Sequence, residues 1–341
     1  MSDTPSNPRE VSSNDFPHSG NKQDQLRFLL NYAVLAPSHM NTQPWKFKLN
    51  DTSIDVLLDK SKALKYIDPK YREMIISCGA AIHHIEIAAN FFGLSPSIKF
   101  NQDYGQELIA QVHFAQNHEP SLEDIRLFGA IKHRQTNRRW FANEEPSQSV
   151  LEKCQALCQK HNIEFTVFKD GRYKSEFAAL TAMAVRTQFS EPWYRLELAN
   201  QIKSRFSKRK DGMSGFGFSA TKLPTPLSRV VNKVFDKGRK IADFNKMKIL
   251  RGSPVIGVMS SFSDSQTDWI NTGRALSAVM LNLTSYGFSA SFVNQAIQVD
   301  ELREHLAKMI NMSSHPQLVL RIGKAPTVVE SSRYNIDDCL V

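Results

Sequence analysis

Apolar positions along the chain follow two rhythms. Spacing near 3.6 predicts helices over Gln25–Leu35, Leu122–Lys132 and Ser149–His161, and a longer helical stretch over Phe177–Ser207. Short apolar runs predict strands at Trp45–Leu49, Ser53–Leu58, Glu164–Phe168, Val255–Ser260 and Gln317–Ile322. The first two read as a hairpin around Asn50-Asp51. Strands and helices interleave, with enough helix to cover a central sheet on both faces. The expected fold is therefore α/β or α+β, a central mixed sheet flanked by helices.

Two segments share one pattern. Ser77–Phe100 and Asn271–Val293 each hold a Gly, an Ala within two residues, a helical apolar run and a second Gly. Gly79 to Gly93 and Gly273 to Gly287 are both fourteen residues apart. Ala81, Ile82, Ile85, Ala88 and Ala89 recur at helical spacing, as do Leu276, Val279, Met280 and Leu283. The small residues at the start permit close approach of another backbone, and the closing Gly suits a left-handed helix terminus. Apolar strands are expected after each, at Ser97–Phe100 and Ser289–Val293. The pattern reads as an internal duplication, against the plainer alternative of two core helices that end alike.

Composition narrows the class. With 41% hydrophobic and 23% charged residues in 341, the chain has the make-up of a soluble globular protein. No run of 18 apolar residues appears. Residues 1–24 are polar and lack the apolar core of a secretory signal, so a disordered tail and a cytoplasmic protein are expected. Cys78, Cys154, Cys158 and Cys339 form no C-x-x-C and read as free thiols. No histidine spacing points to a metal. The net charge of +9 is local: residues 201–251 carry 14 Lys or Arg against 3 acidic residues, and the remainder is slightly acidic. Nucleic-acid and membrane binding are therefore not expected.

Two motifs carry chemistry. Ala36-Pro37-Ser38-His39-Met40-Asn41-Thr42-Gln43-Pro44-Trp45 is an extended loop in which Ser38, Asn41 and Gln43 offer short donors and acceptors beside an aromatic wall. It suits a flat heteroaromatic edge, or equally a capped turn that anchors a core Trp. Lys132-His133-Arg134-Gln135-Thr136-Asn137-Arg138 places Arg134, Thr136 and Arg138 on one face if extended. Two guanidiniums flanking a hydroxyl make a phosphate cluster, or a solvated basic patch.

Together, P-S-x-x-N-x-Q-P-W followed by R-x-T-x-R resembles the FMN-dependent nitroreductase family, in its Acg-like branch of fused halves. The likeness covers about residues 25–340, including Asp268-Trp269, Gly273-Arg274-Ala275-Leu276, Pro316 to Gly323 and Ser332-Arg333. It implies a nitroreductase-like pseudo-dimer with halves at 25–120 and 121–341, holding one FMN per chain. Arg134, Thr136, Arg138 and Arg333 would serve the phosphate and ribityl chain. Pro37, Ser38, Asn41 and Gln43 would serve the ring. Asn294 and Gln295 lie in the stretch that backs it. Where the family has Lys, position 331 is Ser331, and Trp140 stands where this branch has Pro; Lys324 and Arg321 are nearby substitutes for the lost cation. No catalytic side chain is implied, because the chemistry is the cofactor's.

The implied activity is NAD(P)H-dependent reduction of a nitroaromatic, quinone or similar small planar acceptor. The alternative is FMN sequestration without turnover. An insert at about 191–250, with Met213, Phe216 and Phe218 among Gly and Pro, reads as a lid. The assembly would be a monomeric pseudo-dimer or a homodimer.

Overall fold

The computed structural model describes residues 7–341 except 102, 104–105, 117, 204–206, 215–237 and 311–313. Helix α1 (Lys22–Ala33) starts at Asn21, whose side chain accepts from the Asp24 N–H. The hairpin β1 (Trp45–Leu49) and β2 (Ser53–Leu58) pairs antiparallel with Phe47 opposite Val56. Helix α2 (Arg72–Phe91), β3 (Leu94–Phe100), β4 (Leu108–Gln116) and α3 (Leu122–Ile131) follow. Then come α4 (Gln148–Gln159), β5 (Ile163–Phe168), α5 (Gly171–Ser190) and α6 (Pro192–Gln201). Beyond the short parallel pair β6 (Ile202–Lys203) and β7 (Met213–Ser214) lie α7 (Gly238–Arg251), β8 (Val255–Ser261) and α8 (Gln266–Ser285). The chain closes with β9 (Ser289–Phe292), α9 (Asp300–Met309), β10 (His315–Gly323) and α10 (Ile336–Cys339).

The α/β class is as expected, but the central sheet is corrected. The strands form two four-stranded antiparallel sheets, β1-β2-β4-β3 and β5-β8-β10-β9. Each consists of two strands, a long helix, then two more strands, and the orders correspond position for position. Beside these sheets, parallel pairing appears in β6-β7 and at two edge bridges. Leu340 bridges Phe47 beside β1, and Thr136 bridges Ala290 beside β9.

Helices α2 and α8 pack between the sheets and touch at the two predicted glycines. A Cβ on Gly79 would lie 2.1 Å from the Ile270 carbonyl oxygen, and one on Gly273 would lie 1.9 Å from that of Ile76. Only glycine allows this approach. Gly93 and Gly287 close their helices at φ of 82° and 75°, as their spacing implied. By length and hydropathy α2 could span a membrane, yet 83% of its most apolar window is buried within the protein. All four cysteines are buried free thiols.

Three expectations are revised. The helix over Phe177–Ser207 is two helices, broken at Glu191 because Pro192 has no N–H and takes the first position of α6. Residues 7–21 are not a disordered tail: Val11 and Phe16 are buried, and Phe16 stacks on Phe92 at 4.1 Å. Strand β3 begins three residues early, at Leu94, where it pairs with β4, a strand with Ala110, Val112 and Phe114 on its inner face. Phe216 and Phe218 lie outside the described residues.

Candidate functional site

The loop after α1 turns sharply. Met40, Asn41 and Gln43 have φ of 49°, 59° and 50°, a left-handed conformation that side chains resist. Such strain persists where the surroundings over-determine it. Here the Gln43 N–H donates to Ser38 Oγ at 3.1 Å, and Thr42 Oγ1 donates to the His39 carbonyl at 2.9 Å. The Asn41 amide donates to the carbonyls of Gly212 and Ser332, while its oxygen accepts from Arg333 Nη1 at 2.7 Å. Gln43 donates to the Lys210 carbonyl at 3.0 Å and accepts from the Tyr334 N–H at 2.9 Å. Asn41 and Gln43 therefore clamp three chain segments together: their own loop, residues 207–213 and the C-terminal stretch.

Beside this clamp lies a cavity of about 360 Å³. Of the sequence-derived candidates, Pro37, Ser38, Arg138, Asn294 and Gln295 line it. Its other side is built from Phe189 of α5 and from residues of the 191–250 stretch, Tyr194, Met213, Ile241 and Phe244. Arg138 has no carboxylate partner among the described residues. Neither has Lys248, which lies over the Phe244 ring at 5.1 Å. Burial, with Arg321 and Arg138 nearby, brings Lys248 down to about 8.

Arg134 and Arg333 do not line the cavity. Both are buried behind the Pro37 loop, reaching the carbonyls of Leu35 and Ala36 at 3.3 and 3.5 Å. Arg134 Nε and Nη1 and Arg333 Nε have no partner among the described residues. Burial, then Arg333 and Arg9, pushes the Arg134 guanidinium far below its ordinary range; burial and Arg9 bring Arg333 down to about 9. Glu330 offsets part of this charge at Arg9 and Arg333, but Arg134 has no carboxylate partner among the described residues, and such a buried cation is costly unless an anion joins it. Thr136, two residues after Arg134, forms a parallel bridge to Ala290. The expected substitutes for the missing lysine are engaged elsewhere. Arg321 donates to the Gly252 and Arg139 carbonyls, and Lys324 pairs with Glu144. Ser331 is exposed.

Sequence reasoning missed three groups. Arg9, in the turn after Asn7, donates to the Lys132 carbonyl and pairs with Glu330 at 3.4 Å, tying the Arg134 segment to the Arg333 segment. No sequence signal marked it. His39 and Glu73 both line the cavity, with Nδ1 to Oε2 at 2.5 Å. Glu73 also accepts from Asn294 at 3.1 Å, Gln298 at 2.9 Å and Arg72 at 3.4 Å. Burial opposes charge on both members, but each overrides it for the other. His39 is net raised, and Glu73 is held at about 2 by His39 and then Arg72. A signal existed: Arg72-Glu73 is a charged pair opening the apolar run Met74-Ile75-Ile76 of a buried helix.

No family model matches the chain. Among curated relatives, a Mycobacterium tuberculosis protein provisionally named NAD(P)H nitroreductase Rv3131 is 23% identical over 304 residues, 89% of this chain and 86% of its own. The similarly named acg of the same organism is 24% identical over 311 residues, 90% and 91%. Among solved structures, the FMN-dependent nitroreductase NfnB from Mycobacterium smegmatis in complex with NADPH is 14% identical, covering 63% of this chain and 96% of that one, with a TM-score of 0.40. Both motifs are in place, and over most of its length the chain is similar to proteins provisionally named NAD(P)H nitroreductases, acg among them.

Proposed function

We propose that this chain binds FMN across the cavity and the buried arginine pair, and that it is an NAD(P)H-dependent oxidoreductase of small planar acceptors such as nitroaromatics and quinones. The observation that carries this is the set of buried guanidinium nitrogens without partners on Arg134 and Arg333. A phosphate dianion supplies the acceptors they lack, through charge-assisted bonds worth about 1.5–3 kcal/mol each. The Thr136 hydroxyl is a third donor in the same segment, and Arg9 replaces the lysine missing at Ser331.

The cavity volume falls in the range usual for small-molecule sites. Pro37, Ser38, Asn294 and Gln295 would wall a ring system, while Asn41 and Gln43 act at one remove by holding the loop. Bound FMN would supply hydride and electron transfer. The protein's own contribution is positive potential: Arg138, Lys248 and Arg321 line a cavity whose carboxylate, Glu73, is already paired. That field favours an electron-rich ring and charge developing on an acceptor. The two halves of equal strand order are read as degenerate copies sharing one site, and the protein as cytoplasmic.

Arg134→Met separates binding from folding. It deletes a phosphate donor and also an unpaired buried charge. The variant should purify with little flavin, while its flavin-free form melts higher than flavin-free wild type. A fully flavinated Arg134→Met protein would overturn the phosphate assignment.

A further inference from the structure

The pair His39–Glu73 stands in the cavity wall, and the flavin-site assignment gives it no task. Glu73 is saturated: His39, Arg72, Asn294 and Gln298 all reach its two oxygens. His39 is held by its backbone as well, since its N–H donates to Ser77 Oγ at 3.0 Å and that hydroxyl donates to the Glu73 carbonyl at 2.7 Å. One ring nitrogen is thus committed to Glu73. The other, Nε2, is shielded from water and has no partner among the described residues. A structural histidine on a buried carboxylate would ordinarily satisfy both nitrogens.

Around the pair runs a polar chain. Gln298 accepts from Gln188 at 2.8 Å, and Gln188 accepts from the Tyr194 hydroxyl at 3.1 Å. All three side chains line the same cavity. Such a network fixes the carboxylate and leaves the imidazole Nε2 as the uncommitted ionisable position within it, apart from Arg138 and Lys248 elsewhere in the cavity wall. The charged groups facing it are Glu73 and Arg72 on α2 and Asp68 in the loop before it, with Tyr194 on α6 at the far end of the chain. Two carboxylates against one guanidinium favour the imidazolium.

We infer that His39 is the proton donor of the acceptor half-reaction, with Glu73 as the positioning residue that keeps it protonated. This rests on the oxidoreductase reading above. A quinone accepts a hydride, two electrons and one proton originating from the dihydronicotinamide co-substrate, and one carbonyl oxygen becomes an oxyanion. The Nε2–H bond of His39 breaks and an O–H bond forms, giving the hydroquinone. His39 is left neutral, its Nδ1–H still donating to Glu73, and a proton from solvent restores it. General-acid assistance of this kind is worth about 10²–10⁴-fold in rate.

Two readouts test it. In full-length protein with ¹⁵N-labelled histidine, with His39→Asn identifying the signal, His39 should keep its imidazolium signature to a pH above the ordinary value near 6.5. Glu73→Gln should return it to that value or below. A His39 that is neutral throughout pH 6–8, or a titration indifferent to Glu73→Gln, would overturn the inference.

The second readout uses flavin-loaded protein and stopped flow. Asparagine keeps a donor toward Glu73 but has no transferable proton. His39→Asn should slow quinone reduction about 100-fold and leave flavin reduction by NAD(P)H within about twofold. Equal quinone rates in wild type and His39→Asn would also overturn it. Protein that takes up no flavin would sink the oxidoreductase reading instead, while the histidine titration would still report on the pair.

Discussion

At the scale of single residues, this protein is organised by buried charge. His39 and Glu73 form a pair whose members lean on each other, so their contribution to stability depends on pH in both directions. Glu73 is depressed in the fold: its contribution is present above its ordinary value of 4.5 and is lost as pH falls toward about 2. His39 is raised: its contribution is complete below its ordinary value of 6.5 and is lost as pH rises through the folded value. The pair therefore supports the fold most between about pH 4.5 and 6.5. Urea denaturation of wild type and Glu73→Gln should show their largest stability gap in that window and a narrowing gap on either side. A gap constant from pH 4 to 9 would mean that the pair does not titrate as an ion pair.

At the scale of elements, the close crossing of α2 and α8 is the rigid feature from which the two sheets are hung. With Cβ positions at 2.1 and 1.9 Å from opposing carbonyl oxygens, Gly79→Ala and Gly273→Ala must push the helix backbones apart. Each should cost at least about 3 kcal/mol, the upper part of the range for overpacking. A shift in urea midpoint of under a third of that would show that the crossing can relax. The N-terminal turn makes a second, gentler prediction. Arg9→Ala should weaken flavin retention about tenfold without comparable loss of stability, equivalent to about 1.4 kcal/mol. Unchanged flavin content would remove Arg9 from the phosphate cluster.

Much of this level was legible in the chain itself. The glycine spacing disclosed both the crossing helices and their left-handed ends, because those features need a residue without a side chain. Pro37, Ser38 and Arg138 were found by motif, and they do line one cavity. Asn41 and Gln43 were found too, but as ring contacts rather than as a clamp on residues 210–212 and 332–334. That difference depends on long-range pairing, which no local pattern encodes. Arg9 and Val11 were hidden for the same reason: a polar, Pro-containing stretch looks solvated until a partner surface exists to bury it. The single helix read over Phe177–Ser207 fails at Pro192, where local chemistry was present and under-weighted.

At the scale of the whole molecule, two sheets of matching strand order flank a pair of crossing helices, and one cavity is lined by α2, the Pro37 loop and the second sheet. The C-terminal residues return to the first sheet, where the Val341 N–H donates to the Phe47 carbonyl at 3.1 Å and Lys46 donates to the Asp338 carbonyl at 2.7 Å. The cavity is walled by the first half, the second half and the insert alike. On this account one chain is sufficient to hold one flavin, because every group assigned to it comes from the same chain.

The most direct test is to purify the protein after reconstitution with FMN, quantify the flavin released per chain, and add NADPH without oxygen while following the flavin absorbance. The account predicts one FMN per chain and loss of the oxidised flavin band on NADPH addition. Absence of bound flavin, or a bound flavin that dithionite reduces and NADPH does not, would contradict it.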